Sequence, residues 1–252
     1  MKRTVRLVSG TLLLAALAGP PALAAQASAG ASGSGMQKLT LDKYLDWEDV
    51  SGPQISPDGR QVVYSRGWID KMNDRRESTL WIANSDGSRK RELVDGASAT
   101  WSPDGTRIAF VAPGEPEGPQ IFVRWMDAEG ATTQITNGEY GPGGLSWSPD
   151  GKQIAYVSNQ HGNLEIYSME VDGSDQLRLT RNDRSDNNPV WSPSGKRIAF
   201  VSYSESGDEG GEIFAMDADG SKQRRLTNNP ANDSNPFWYL RFGSYNEYGI
   251  GA

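Results

Sequence analysis

Short apolar blocks alternate with polar, turn-forming clusters along most of this chain. The stretch from 188 to 227 illustrates the unit. Asn188-Pro189-Val190-Trp191 reads as a short extended segment. Arg197-Ile198-Ala199-Phe200-Val201-Ser202 is almost continuously apolar, which suits a strand buried on both faces. Glu212-Ile213-Phe214-Ala215-Met216-Asp217 is a third strand. Gln223-Arg224-Arg225-Leu226-Thr227 is polar, as an outer edge strand should be. Ser192-Pro193-Ser194-Gly195, a polar loop over 203–211 and Asp219-Gly220 join the four. Proline pre-sets φ at the second turn position, and glycine accepts the left-handed conformation that closes a hairpin.

The same quartet recurs. Second strands are expected at 61–65, 107–111 and 153–158, and third strands at 79–83, 120–126 and 165–171. Second hairpins fall at Asp86-Gly87, Glu129-Gly130 and Asp172-Gly173, with fourth strands ending at Leu93, Ile135-Thr136 and Leu179-Thr180. The sharpest repeat is Trp147-Ser148-Pro149-Asp150-Gly151. Trp101-Ser102-Pro103-Asp104-Gly105 is identical to it. Trp191-Ser192-Pro193-Ser194-Gly195 and Ile55-Ser56-Pro57-Asp58-Gly59 each differ at one position. Their first residues are separated by 46, 46 and 44 positions, and Trp238 follows 47 later. A fixed period near 40–45 residues is the size of a four-stranded propeller blade. The expected fold is all-β: a β-propeller with blades at 51–95, 96–140, 141–184 and 185–230, and a fifth begun over 231–252.

The first residues have another character. Lys2, Arg3 and Arg6 precede an apolar run over 7–18, then Pro20-Pro21 and the small-x-small site Ala22-Leu23-Ala24, with Ala27-Ser28-Ala29 as a second cleavage possibility. Residues 1–24 are expected to be a secretory signal peptide, without a cysteine after it to carry a lipid. Residues 25–35 are rich in Ala, Ser and Gly, a flexible linker by composition. The propeller is expected over 36–252, and residues 36–50 are ambiguous between a strand and a helical turn. No later stretch is apolar enough to span a membrane. The expectation is an exported protein, periplasmic or extracellular.

The formal net charge is −7 and there is no cysteine. The acidic balance argues against nucleic acid, which is held through Lys and Arg on phosphates. Absent cysteine removes disulfides, thiolate metal sites and a Cys nucleophile.

Trp-Ser-Pro-Asp-Gly, then Ile-Ala-Phe/Tyr-Val-Ser, then Ile-Phe/Tyr-x-Met-Asp-x-Asp-Gly-Ser and Leu-Thr-Asn closely resembles the WD40-like β-propeller repeat of the TolB type, over residues 51–238. In that family's namesake an α/β domain precedes a six-bladed propeller, and residues 36–50 leave no room for one. The entry, Leu39-Thr40-Leu41-Asp42 through Gly52-Pro53-Gln54-Ile55-Ser56-Pro57-Asp58-Gly59, resembles the propellers of prolyl-oligopeptidase and acylaminoacyl-peptidase relatives. There the propeller precedes an α/β-hydrolase domain, shields the active site and screens substrates by size. Beyond Trp238 the pattern departs, with Tyr239-Leu240-Arg241-Phe242-Gly243 where a Ser-Pro-Asp-Gly turn belongs. Either the fifth blade is a truncated stub, or 237–242 is a closing strand.

Candidate chemistry is sparse. No Gly-x-Ser-x-Gly occurs; Gly30-Ala31-Ser32 and Gly96-Ala97-Ser98 lack the second glycine. His161 is the only histidine, too few for the usual His-rich metal site, and a solvated loop residue is its plainest reading. Asp217-Ala218-Asp219-Gly220-Ser221 resembles the start of a calcium loop but lacks the later ligands, and a hairpin turn explains it. No cofactor, metal or catalysis is expected. The strands run up and down, so the Ser-Pro-x-Gly turns and the Asp-Gly hairpins share one rim. The loops after the second strands and those between blades share the other, and these differ in every copy: 66–78, 112–119, 137–144, 159–163, 181–188 and 203–211. Loops on a rigid scaffold carry recognition. A binding face is therefore expected to contain Trp68, Tyr140, His161, Arg181, Arg184, Asp186, Tyr203 and Asp208. Its expected partner is protein or peptide, in the envelope or outside the cell. The rival expectation is the propeller part of a serine peptidase, inactive without its catalytic domain. Loop aromatics alone support a third, a carbohydrate- or envelope-binding module.

Overall fold

The computed structural model describes residues 47–127, 129–204, 210–229, 231–240 and 248–251. The expected signal peptide, the linker and Asp208 lie outside the described residues. Four antiparallel sheets of four strands follow one another, each a simple up-and-down meander. Blade 1 is β1 (Asp49–Ile55), β2 (Gln61–Asp70), β3 (Arg75–Asn84) and β4 (Arg91–Asp95). Blade 2 is β5 (Ala97–Trp101), β6 (Arg107–Gly114), β7 (Gly118–Trp125) and β8 (Thr132–Gln134). Blade 3 is β9 (Gly143–Trp147), β10 (Gln153–His161), β11 (Asn163–Glu170) and β12 (Leu177–Arg178). Blade 4 is β13 (Ser185–Trp191), β14 (Arg197–Tyr203), β15 (Glu212–Asp217) and β16 (Arg224–Arg225). β17 (Phe237–Leu240) and β18 (Tyr248–Gly251) form a separate pair.

One expectation is corrected in detail. The loops after the second strands are shorter than their polarity suggests. In blade 1 the 66–78 loop is mostly strand, paired from Gln61↔Asn84 to Asp70↔Arg75. The 159–163 loop shrinks to Gly162 between β10 and β11, with His161 opposite Asn163. Ladder pairing tolerates polar side chains wherever the backbone groups stay satisfied, so polarity alone overcounts loop. β17 pairs with β18 in a sheet of its own.

The core lies between blades. Val63, Leu80 and Ile82 of blade 1 pack on Trp101, Ile108 and Phe110 of blade 2. Ala109, Ile121 and Val123 of blade 2 meet Trp147, Ile154 and Met169 of blade 3. Ala155, Val157 and Ile166 of blade 3 meet Trp191, Ile198, Phe200 and Met216 of blade 4. Second strands are therefore apolar on both faces. Ile108, Ile154 and Ile198 are fully buried, each contributing roughly 1.5–3 kcal/mol of transfer free energy.

Each motif residue has a separate task. In Ser102-Pro103-Asp104-Gly105 the Ser102 hydroxyl donates to Asp104 at 2.6 Å and accepts the Arg107 N–H at 3.0 Å. Asp104 accepts the Thr106 N–H at 3.0 Å, and Gly105, at φ 70°, donates its N–H to the Ser102 carbonyl at 2.9 Å. The Ser56 and Ser148 turns repeat this pattern. In blade 4, Ser194 replaces the aspartate and its contacts lengthen to 3.2 and 3.4 Å.

The tryptophan is a hook. The Trp101 indole N–H donates to the Gln54 carbonyl at 3.2 Å, Trp147 to Thr100 at 3.2 Å and Trp238 to Val190 at 3.0 Å. Each bond runs from one inner strand to the inner strand of the preceding blade. Three residues before each motif the chain turns left-handed, at Gly52, Ser98, Gly144, Asn188 and Asn235, with φ between 51° and 59°. The inner-strand register shifts at or beside these residues in all four complete blades. The bulge twists the strand so that the indole reaches back.

Candidate functional site

The rim carrying the variable loops is held by side chains that substitute for missing ladder bonds. Where a fourth strand ends, a threonine hydroxyl accepts the N–H of the third strand's first buried apolar residue: Thr136 from Ile121, Thr180 from Ile166 and Thr227 from Ile213, at 2.8–2.9 Å. Beside it sits a buried Gln or Glu. In blade 2 the Thr136 hydroxyl donates to Gln120 Oε1 at 2.8 Å. In blade 3 the fully buried Glu165 accepts from Thr180, from Arg178 Nη2 at 2.6 Å and from the Asn182 N–H at 3.1 Å. In blade 4 Glu212 accepts from Thr227 and Arg225 at 2.6 Å and from the Asn229 N–H at 3.3 Å. The Thr227 hydroxyl, ahead of Arg225, holds the Glu212 carboxyl below its ordinary value against the effect of burial.

The junction of blades 3 and 4 has the densest network. Asn163, at the tip of the β10–β11 hairpin, donates its amide to the carbonyls of Asn182, at 2.8 Å, and Arg184. Asn182 Nδ2 donates to Asp186 Oδ2 at 2.8 Å, and Asn182 Oδ1 accepts the Arg184 N–H at 2.7 Å. Arg184 Nε donates to Ser202 Oγ at 2.9 Å, and its guanidinium lies 5.7 Å from the Phe214 ring centroid.

The expected binding residues divide. Arg184, Asp186 and Tyr203 meet at this junction, Tyr203 opposite Ser185 in the β13–β14 ladder. His161 and Arg181 flank it, both exposed. His161 Nδ1 is 2.6 Å from the Tyr167 hydroxyl, and the two rings stack at 6.2 Å. Trp68 stands apart, half-buried on β2 opposite Glu77, and Tyr140 is exposed between β8 and β9. Asp186 is a correction: it is no loop residue open to a partner. It lies within β13 with its side chain fully buried, and one carboxylate oxygen lacks a hydrogen-bond partner among the described residues. Burial pushes its carboxyl above the ordinary value, although hydroxyls of Ser202 and Thr180 and the Asn182 amide counter this. Strand alternation turns that side chain inward, which topology alone does not reveal.

Asn163, Glu165, Asn182 and Ser202 escaped the sequence reading. The signal was present as a second repeat: Glu165, Thr180, Asn182 and Asp186 have the spacing of Glu212, Thr227, Asn229 and Asp233. Asn229 indeed donates to Asp233 at 2.9 Å. Among the described residues no three His, Cys, Asp or Glu side chains are grouped to hold a metal ion. What the junction offers is a half-buried arginine fixed by Ser202, with the exposed Arg181 three residues before it in the chain, which suits recognition of acidic or carbonyl groups.

Consecutive four-stranded antiparallel blades hooked through inner-strand tryptophans define a β-propeller. The PD40 family model, described as the TolB beta propeller domain, matches residues 68–209, more than half of the chain, and the chain belongs to that family. Dipeptidyl-peptidase 5 of Porphyromonas endodontalis is 35% identical over 77 residues, 29% of this chain and 11% of that protein. The Uncharacterized peptidase YuxL of Bacillus subtilis is 30% identical over 112 residues, 42% of this chain and 17% of that one. The matched region thus spans less than a fifth of either curated relative. Among solved structures, a putative TolB from Agrobacterium tumefaciens superposes with a TM-score of 0.57 at 23% identity, covering 71% of this chain and 81% of that one. An acylaminoacyl peptidase from Pyrococcus horikoshii gives 0.55 at 15% identity, covering 73% and 33%. These structural likenesses speak to the fold.

Proposed function

We propose that this chain is an exported, non-enzymatic β-propeller of the cell envelope or its exterior that binds protein or peptide at the rim of blades 3 and 4. The observation carrying the reading is the fixed Arg184, held by Ser202 and by the Asn163–Asn182 network, with the exposed Arg181 three residues before it in the chain. The opposite rim consists of near-identical closed turns and has little to vary for recognition. The test is capture of partners from an envelope extract by the whole chain and by an Arg181→Ala, Tyr203→Ala double variant. At least tenfold weaker capture at unchanged melting temperature is expected. Undiminished capture by the variant would sink the reading.

A second reading has its own support in the two peptidase relatives. Here the chain is the non-catalytic propeller of a serine peptidase and screens substrates for a hydrolase domain. The coding DNA beyond Ala252, read in all frames, separates the two. Further Ser-Pro-Asp-Gly blades followed by Gly-x-Ser-x-Gly would select the peptidase, and an unrelated gene the free-standing binder.

A further inference from the structure

Glycine follows aspartate seven times in the chain and asparagine once, at Asn137-Gly138. Such pairs are chemically labile, because a glycine nitrogen with no Cβ beside it is free to attack the side-chain carbonyl of the residue before it. The Asp-Gly pairs are locked against this. All seven of their glycines, from Gly59 to Gly220, take left-handed φ between 68° and 141°, and each donates its N–H to a backbone carbonyl at 2.8–3.0 Å. A nitrogen lodged in such a bond is held off the line of attack. Asn137-Gly138 is built differently. It lies exposed between β8 and β9, outside any strand. Neither the Asn137 side chain nor the Gly138 N–H has a hydrogen-bond partner among the described residues. The fold makes no use of this glycine: its φ is not left-handed, and a Cβ there would meet only the Tyr140 nitrogen, at 4.0 Å.

We infer that Asn137 is a site of self-modification in the folded protein, with water as its only co-reactant. The Gly138 nitrogen bonds to Asn137 Cγ, the bond from Cγ to the side-chain nitrogen breaks, and that nitrogen leaves as ammonia with the Gly138 proton. Water then opens the succinimide ring at either carbonyl, to aspartate or to isoaspartate, and nothing is oxidised or reduced. Isoaspartate runs the main chain through the side-chain carbons and so lengthens it by a methylene. Here the chain is anchored on both sides of the pair. The Thr136 carbonyl accepts Gln134 Nε2 at 2.6 Å, and the Gly138 carbonyl accepts Nε2 of the fully buried Gln120 at 2.7 Å. The added length therefore falls between two fixed points and pulls the Gly138 carbonyl away from Gln120, at the junction of blades 2 and 3. The inference does not depend on the proposed function.

The test is to age the folded full-length chain at body temperature and mildly alkaline pH, then digest it with trypsin. The peptide 125–152 holds both Asn137-Gly138 and the locked Asp150-Gly151, so one fragment supplies site and control. Fragmentation that tells isoaspartate from aspartate is expected to find both at 137, isoaspartate in excess, with Asp150 unchanged. Gly138→Ala, which the open space accommodates, should slow the conversion tenfold or more. In urea, where the turns are gone, Asp150 should begin to isomerise. The isoaspartate form, separated by its added charge, should melt below Asn137→Asp, which has the same charge on a chain of unaltered length. Asn137 that stays intact in the folded chain while it converts in urea overturns the inference, because the two anchors then hold the pair out of attack geometry. So does conversion that Gly138→Ala leaves as fast, or that Asp150 matches in the folded chain. Equal melting of the isoaspartate form and Asn137→Asp overturns the loss of the Gln120 contact.

Discussion

Ser102 has no exposed surface, yet its hydroxyl serves both a carboxylate and a backbone N–H five residues away. Ser102→Ala leaves the Arg107 N–H without its acceptor and should cost about 1–3 kcal/mol in thermal or urea unfolding. Ser194→Asp restores in blade 4 the carboxylate that the other turns have, and should add up to about 1 kcal/mol. The aspartates give these turns a pH dependence. The Ser56 hydroxyl and the Arg60 N–H lower the Asp58 carboxyl, and the Ser148 hydroxyl and the Lys152 N–H lower that of Asp150. Their stabilisation is complete above the ordinary aspartate value and is lost as pH falls through the lowered one. Asp186 has the opposite sign. Its raised carboxyl favours the protonated form on folding, so its cost appears as pH rises past the ordinary aspartate value. Asp186→Asn should raise stability at neutral pH by on the order of 1 kcal/mol, and the gain should vanish in acid. Melting temperatures of the two proteins across pH check this. Proline and glycine disclosed their tasks in the sequence because φ is an intrinsic property. Ser102 and Asp104 did not, because their partners depend on how the turn folds. Asp186 was misread for a related reason: its place in the topology was evident, and the direction of its side chain was not.

At the scale of the strand, the tryptophan hook and the buried Glu–Thr contact are separable. Trp147→Phe and Trp191→Phe remove similar volume from similar layers. Trp147 loses a bond to Thr100, whereas the buried Trp191 indole N–H has no partner among the described residues. Trp147→Phe should therefore cost about 1 kcal/mol more than Trp191→Phe in equilibrium unfolding. Glu165→Ala strands Thr180, the Asn182 N–H and Arg178 together and should cost about 3–5 kcal/mol. Glu165→Gln should cost much less, since Gln120 fills the same position in blade 2. Strand order and turn positions were legible because apolar runs and turn residues recur with one period. The bulges were hidden, since Gly52, Ser98, Gly144, Asn188 and Asn235 share a conformation and not a residue type. Strand lengths were underestimated at 66–70 and 75–78 because paired polar residues look like loop.

On the scale of the molecule, the described residues share stability among three apolar layers, each owned by two neighbouring blades. Such an array behaves as a nearest-neighbour chain. Amide hydrogen exchange should be slowest in β6 and β10, which have neighbours on both edges and an apolar layer on both faces, and faster by orders of magnitude in β8, β12 and β16. Uniform protection across each blade would contradict this layering. The repeat made this architecture readable, while the binding rim was readable only as a set of variable loops. The hooks also have a direction. The three paired indoles, Trp101, Trp147 and Trp238, each grip a carbonyl 47 or 48 residues earlier in the chain, never a later one. A nascent chain emerging at about 5–20 residues per second would deliver a blade every few seconds, and Trp101, Trp147 and Trp238 would each find the acceptor already made. The order of synthesis is thus the order of locking, and a finished blade never waits on the one behind it to hold the one ahead.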